Sequence, residues 1–189
     1  MIKMLEFYMA TGIAVTIGLY VLSKTKKVCM EGKTLSLGIS IGWWITDVAW
    51  TALVAFSSLY NIWPLEMGEM TALIAGLILL GVGCSLTLIG IIEFHSLRKI
   101  SGMEVSNLIT TGIYRWSRNP QFLGFYLALL GISFIGRSGY AFLLAIMAIV
   151  YCHYYIVRVE EPYLERIFGE KYLQYKLSVP RYVGIPKKR

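Results

Sequence analysis

Charge is the scarcest commodity in this chain. Only 15% of its 189 residues are Asp, Glu, Lys or Arg, against 57% hydrophobic ones and a mean hydropathy of +0.62. That balance excludes an ordinary soluble domain and a disordered polar chain alike. Cysteine is nearly absent as well: Cys29, Cys84 and Cys152 show no Cys-x-x-Cys spacing, and two of them fall inside apolar runs, so neither a disulfide framework nor a zinc site is expected. Histidine is limited to His95 and His153. Even with Glu93 nearby, they supply too few ligands for a metal centre.

What remains is apolar sequence in lengths that match a bilayer. Five spans are read at 5–22, 37–60, 70–92, 120–135 and 140–157, and a helical crossing takes about 20 residues. The chain is therefore expected to be all-α, one integral membrane domain over 1–189. The first run follows a single lysine, Lys3, and has no small-residue cleavage site, so it is kept as a mature helix rather than a signal peptide. The last two are short and joined by Gly136-Arg137-Ser138-Gly139, which predicts a tight antiparallel hairpin.

The net charge of +7 invites a nucleic-acid reading, but the cations are spread as a membrane topology requires. Sixteen of the 18 lysines and arginines follow spans one, three and five, and only Lys3 and Arg137 fall on the other side. The positive-inside rule then puts the N-terminus outside and the C-terminal tail, with Lys187, Lys188 and Arg189, in the cytoplasm. Anionic lipid headgroups are the expected partner, with no nucleic acid and no indication of oligomeric state.

Within the spans, small residues recur at four-residue intervals: Ala72 and Gly76, Gly81 and Ser85, Gly124 and Ala128. Close helix packing accounts for them. Asp47, in Trp43-Trp-Ile-Thr-Asp47, is an intramembrane acid, and such acids by default suggest function. Its place within three turns of the span's cytoplasmic start favours a structural role instead, reaching water or pairing with a nearby lysine.

Two cytoplasmic segments are left for polar chemistry, 93–120 and 158–185, and the hairpin between them brings their ends together. The first is rich in Ser, Thr, Asn and Gly and reads as an irregular or re-entrant loop, whose backbone can bind a heterocycle while Leu108 and Ile109 cover the ring. It ends in Asn119-Pro120, an ordinary helix start with Asn as N-cap. Arg115 and Arg118 also serve as topology anchors. The second segment begins with Glu160 and Glu161 at a helix exit. It continues with apolar positions at 164, 167, 168, 172 and 175, the stripe of a C-terminal amphipathic helix.

Read together, Gly112-Ile-Tyr114-Arg-Trp-Ser-Arg118-Asn119-Pro120-Gln-Phe122-Leu-Gly124, Glu160-Glu161-Pro-Tyr-Leu164, Phe168-Gly169-Glu-Lys-Tyr172-Leu-Gln-Tyr175 and Val179-Pro180-Arg181 resemble a known signature. It is that of the isoprenylcysteine carboxyl methyltransferase family, which is itself similar to membrane phospholipid methyltransferases. The resemblance covers about the C-terminal half. It implies an enzyme that uses S-adenosylmethionine to methylate a lipid or lipid-modified acceptor at the membrane interface, with a prenylcysteine-like carboxyl group as the acceptor. A phospholipid amine, a nicotinamide-dependent membrane reductase of the sterol type, and a non-enzymatic scaffold are the alternatives.

Carried onto matching positions, the resemblance places cofactor contacts at Lys99, Ser106, Asn107, Leu108, Ile109, Tyr114, Asn119, Pro120, Gln121, Phe122 and Glu160. Glu160 and Arg118 are the implied catalytic residues. The family's substrate-side arginine aligns with Ile156, and Arg158 stands two residues on, about 200 degrees around an α-helix. Asn119 replaces the family's usual His and Phe122 its usual Tyr. An amide binds but does not titrate near neutrality, so binding without proton transfer is expected of Asn119.

Overall fold

A computed structural model of the chain describes residues 2–184, so Lys187, Lys188, Arg189 and the last residue of the 158–185 segment lie outside the described residues, as does the side chain of Lys3. The described residues form eight α-helices and no β-strand: α1 Ile2–Met30, α2 Leu37–Leu59, α3 Glu69–Ile92, α4 Leu97–Ile100, α5 Pro120–Gly136, α6 Gly139–Tyr155, α7 Glu161–Phe168 and α8 Glu170–Ser178. A 3-10 turn, Gly112–Arg115, precedes α5, and a π-helical segment, Ile156–Glu160, fuses α6 to α7.

Four helical runs are long and apolar enough to cross a membrane: Met4–Met30, Leu37–Leu59, Glu69–Ile92 and Gly139–Phe168. The remaining expected span is α5, whose 17 residues give an apolar helix of about 25 Å, short of the hydrocarbon thickness of about 30 Å. It is held in place by α3, with which it forms the most intimate helix pair in the molecule. A side chain built on Gly83 would stand 2.5 Å from the Ala128 nitrogen and 2.6 Å from the Gly124 carbonyl oxygen; one on Gly131 would stand 2.7 Å from the Gly76 carbonyl oxygen. Backbone therefore lies directly against backbone.

The glycines that meet this way recur at seven residues, Gly76, Gly83 and Gly90 on α3 opposite Gly124 and Gly131 on α5. Of the four-residue pairs read from the sequence, Gly124 with Ala128 lies at this interface. A Cβ built on Gly81 would meet no atom outside its own helix turn within 4 Å and Ser85 is exposed, so that pair packs against no other helix.

The other helices close around α6. Trp50 and Val54 of α2, Leu129 of α5, and Leu144, Ala145 and Ala148 of α6 form one buried apolar cluster. The Tyr151 hydroxyl donates to the Gly18 carbonyl at 2.9 Å and fastens α1 to the same helix. At the far end the expected hairpin turn is present. Arg137 takes a left-handed conformation (φ 48°), and the Ser138 hydroxyl accepts from the Ala141 N–H at 3.2 Å to cap α6. Arg137 also pairs with Glu69 at 2.8 Å, tying the hairpin to the start of α3.

Candidate active site

The loop after α3 is irregular apart from α4 and the 3-10 turn, and it docks on the start of α2. The Ser40 hydroxyl donates to the Ser101 carbonyl at 2.8 Å, and the Leu35 N–H to that of Gly102 at 2.9 Å. Gly112 then turns the chain at φ +52°, with the Glu93 carboxylate packed where a Cβ would stand. Only glycine fits both constraints. Two residues on, the buried Tyr114 hydroxyl donates to Gln121 Oε1 at 2.7 Å, and its one proton is shared with the Gly90 carbonyl at 3.2 Å. The Gly-x-Tyr spacing thus bolts the end of α3 to the first turn of α5. Burial pushes the Tyr114 phenol well above its usual range, which keeps it a neutral donor.

The tail clamps the same loop. The Tyr175 hydroxyl donates to the Tyr114 carbonyl at 2.7 Å, the Arg118 N–H to that of Pro180 at 3.0 Å, and Asn119 Nδ2 to that of Arg181 at 3.2 Å. Asn119 holds the N-cap position with Pro120 at the first helical position, but its amide does not cap α5. The Arg181 carbonyl takes it instead.

The expected single amphipathic helix is two helices, α7 and α8, broken at Gly169 where φ is +55°. The break lets Tyr172, Tyr175 and Val179 bury against Leu108, Leu164 and Phe168, while Ile167 is left exposed.

The two glutamates where the π-helical segment meets α7 have different surroundings. Glu161 is buried and heavily paired: Arg181 Nε donates to Oε1 at 2.7 Å, Arg181 Nη2 to Oε2 at 3.0 Å, and Arg118 Nη1 lies 3.2 Å from Oε1. Lys176 Nζ stands 3.7 Å from Oε2. Glu160 has a buried Oε2 with no hydrogen-bond partner. The π-helical segment sets this register, since its wider turn interrupts the 100-degree step of an α-helix. Within it Ile156 is fully buried and Arg158 is exposed.

A cavity of about 650 Å³ lies between the loop, the tail and α2. Of the residues anticipated from sequence, Lys99, Ser106, Asn107, Leu108, Ile109, Tyr114, Arg118, Asn119, Gln121, Phe122 and Glu160 all line it. Three do not. Pro120 is fully buried in the start of α5, Ile156 packs into the interior, and Arg158 points away from the cavity.

Sequence reasoning missed the wall that α2 supplies through Trp43, Trp44, Asp47, Val48 and Thr51, together with Cys29 of α1 and Tyr163 of α7. The Trp-Trp-x-x-Asp cluster was the available signal for α2. Nothing in the sequence marks Cys29. Four buried side-chain polar atoms among the described residues lack a hydrogen-bond partner, and three belong to cavity residues: Arg118 Nε, Glu160 Oε2 and Tyr163 Oη. Buried polar atoms are ordinarily satisfied, so three such atoms around one cavity set this region apart from the rest of the described interior.

The chain matches the phospholipid methyltransferase family over residues 71–171. It is 35% identical over 79 residues to the protein-S-isoprenylcysteine O-methyltransferase of Saccharomyces cerevisiae, a stretch covering 42% of this chain and 32% of the yeast protein. The protein-S-isoprenylcysteine O-methyltransferase B of Arabidopsis thaliana is 32% identical over 99 residues, covering 50% of this chain and 47% of the plant protein. For the Rattus norvegicus protein-S-isoprenylcysteine O-methyltransferase the figures are 27% over 152 residues, 75% and 50%. The chain thus spans between about one third and one half of the length of these relatives. No solved structure matches. The matched residues run from α3 through the loop, the hairpin and both glutamates into α8, more than half of the chain, and by that match it belongs to the phospholipid methyltransferase family.

Proposed function

We propose that this chain is a membrane methyltransferase that binds S-adenosylmethionine and a lipid-bearing acceptor in the one cavity and methylates a prenylcysteine-like carboxyl group. The observation that carries this reading is the trio of unsatisfied buried atoms, Arg118 Nε, Glu160 Oε2 and Tyr163 Oη, around a cavity whose other wall is apolar helix. The donor set fits the group: a free carboxylate for a cationic end, loop backbone at Ser106 to Ile109 for a heterocycle, and the rings of Tyr114 and Phe122 beside them.

When bound, the sulfonium supplies a methyl group open to in-line displacement by a nucleophile that is already anionic. The chain's own contribution is then to position and to exclude water. Glu160 binds the cationic end, Lys99 and Asn119 hold polar edges, and Arg118, fixed by Glu161, offers its free Nε. Pro120 contributes by starting α5 rather than by contact. Asn119 binds without exchanging a proton. Arg158 and Ile156 receive no acceptor role.

The acceptor enters from the bilayer. α2 and α3 each pack on α5 but do not pack as a pair with one another, and Val48 and Trp44 of the cavity wall remain exposed between them. The reading includes one domain over 1–189 with five membrane crossings, α5 being the short one, and with the loop and tail on the cytoplasmic side where most cations lie.

Titration of the purified chain in detergent with S-adenosylmethionine and with a reduced nicotinamide dinucleotide phosphate is the test. Saturable binding of the first, weakened by Glu160→Gln and by Tyr114→Ala, is expected. Binding of the nicotinamide alone points to a reductase, and binding of neither to a scaffold. Radiolabelled methyl transfer to a prenylcysteine analogue and to fractionated membrane lipids then identifies the acceptor.

A further inference from the structure

Tyr163 follows Glu160 by three residues on the helical run that ends at Phe168, and that spacing puts two side chains on one face, with Cβ atoms about 5 to 6 Å apart. Both residues line the cavity, and each keeps a buried oxygen without a partner, Glu160 Oε2 and Tyr163 Oη. Tyr163 is 9% exposed and packs with Cys29, Leu35 and Val159. Three other phenols of the cavity wall are engaged: Tyr114 with Gln121, Tyr175 with the Tyr114 carbonyl and Tyr172 with Arg118. The charges of the wall leave the pair free as well. Among the described residues none of its cations pairs with Glu160: Lys33 pairs with Glu31, Arg118 with Glu161, and Lys99 forms no ion pair. The pairing of Asp47 with a lysine, expected from the sequence, does not form among the described residues either, and that acid lines the cavity from α2 opposite Thr87 and Ile91 of α3.

We propose that Tyr163 is a cofactor-binding residue: its hydroxyl donates to the carboxylate at the amino-acid end of S-adenosylmethionine, while Glu160 takes the ammonium of the same end. The inference rests on the reading of this cavity as the cofactor site. A carboxylate, which only accepts, beside a neutral hydroxyl, which can donate, complements a zwitterion. A cation in place of the phenol would pair with Glu160 itself and occupy the site; a phenol donates without neutralising its neighbour. Glu161, the next acid, is already matched by Arg118 and Arg181, and Lys99, the unpaired cation of the wall, offsets the charge that a bound carboxylate brings. Held at two points, the amino-acid end cannot swing about Glu160. That fixes the direction in which the sulfonium presents its methyl group.

The test is equilibrium binding of S-adenosylmethionine and of decarboxylated S-adenosylmethionine to the full chain in nanodiscs, with no acceptor present. The second compound keeps the sulfonium and the ammonium and lacks the carboxylate. The wild type is expected to bind the first about tenfold more tightly, and Tyr163→Phe to bring the two within about twofold by weakening the first alone. Glu160→Gln is expected to weaken both by a similar factor, since both keep the ammonium. Thermal unfolding without ligand gives a second readout. Tyr163→Phe removes a hydroxyl that has no partner inside the protein, so the midpoint is expected to stay unchanged or rise. Equal binding of the two compounds by the wild type, or a lowered midpoint in Tyr163→Phe, overturns the proposal. So does a preference that survives Tyr163→Phe, and its loss in Lys99→Met would then give the carboxylate to Lys99. Binding of neither compound by the wild type removes the cofactor reading of the cavity, whereas S-adenosylmethionine binding without discrimination removes only the role of Tyr163.

Discussion

Arg118 and Arg181 meet on one carboxylate, that of Glu161, with Arg118 Nη1 at 3.2 Å and Arg181 Nε at 2.7 Å from the same Oε1. One arginine comes from the loop before α5 and the other from the tail, so this acid is the knot that closes the cavity. Its neighbour Glu160 keeps a free oxygen. Adjacent residues of one type therefore stand in opposite states of pairing.

Substituting the two glutamates separately exposes that division. Glu161→Gln leaves Arg118 buried without its counter-charge, and breaking such a pair costs about 3 to 5 kcal/mol. A clear drop in the thermal midpoint is expected, with faster proteolysis of the tail. Glu160→Gln removes no internal partner and is expected to leave the midpoint unchanged. It should weaken S-adenosylmethionine binding by about tenfold or more, since a hydrogen bond to a charged group contributes about 1.5 to 3 kcal/mol. A Glu160→Gln protein that unfolds early while keeping its affinity would reverse these assignments.

Tyr175 tests whether the tail orders the loop. Its hydroxyl supplies the Tyr114 carbonyl with a partner in a buried setting. Tyr175→Phe leaves that carbonyl unsatisfied at a cost of about 1 to 3 kcal/mol, with little change in volume. Hydrogen exchange should accelerate at the amides of 112–118 and stay unchanged in α3. Uniform loss of protection across the molecule would mean that Tyr175 supports the fold as a whole.

Gly112 gives a second handle on the same loop. Gly112→Ala demands a positive φ from an L side chain and pushes against the Glu93 carboxylate. Displacement of Tyr114 follows, and cofactor affinity is expected to fall by about tenfold, more than the backbone penalty of roughly 1 kcal/mol alone would produce. Gly169→Ala has open space at the Cβ and a similar φ, so it serves as the control for conformational strain without contact.

The architecture was legible in the sequence wherever hydropathy decides it: the apolar helices, the hairpin and the convergence of two polar segments follow from apolar length and from Gly136-Arg137-Ser138-Gly139. Helix limits were not, since α1 runs on to Met30, eight residues past the apolar run read at 5–22, and the helical run after the hairpin continues to Phe168. The loop residues were legible through motif order, and eleven of the anticipated site residues line the cavity. What stayed hidden depends on helix rotation and on contacts distant in the chain. The π-helical turn at Ile156–Glu160 changes which side chains face inward, and no composition signal announces it. The choice of Glu161 as the paired acid needs Arg181, 20 residues away. The fate of Asp47 needs the gap between α2 and α3. A four-residue small-xxx-small count likewise credits Gly81 as readily as Gly83, because it cannot see which face of α3 meets α5.

That last distinction can be measured. A methyl group on Gly83 would press on the α5 backbone, 2.5 Å from the Ala128 nitrogen, where no flexible side chain is available to move aside. Gly83→Ala therefore forces α3 and α5 apart, and overpacking of this kind costs about 1 to 3 kcal/mol. Because α5 is too short to hold its depth by length alone, separation from α3 should also loosen the loop that ends at Pro120. Gly81→Ala, on the open face of the same helix, is expected to leave stability unchanged or raise it slightly through helix propensity. Thermal unfolding of the two variants in the same detergent decides the matter: a lowered midpoint for Gly83→Ala alone supports the seven-residue interface, whereas equal effects would return the packing role to the four-residue pattern.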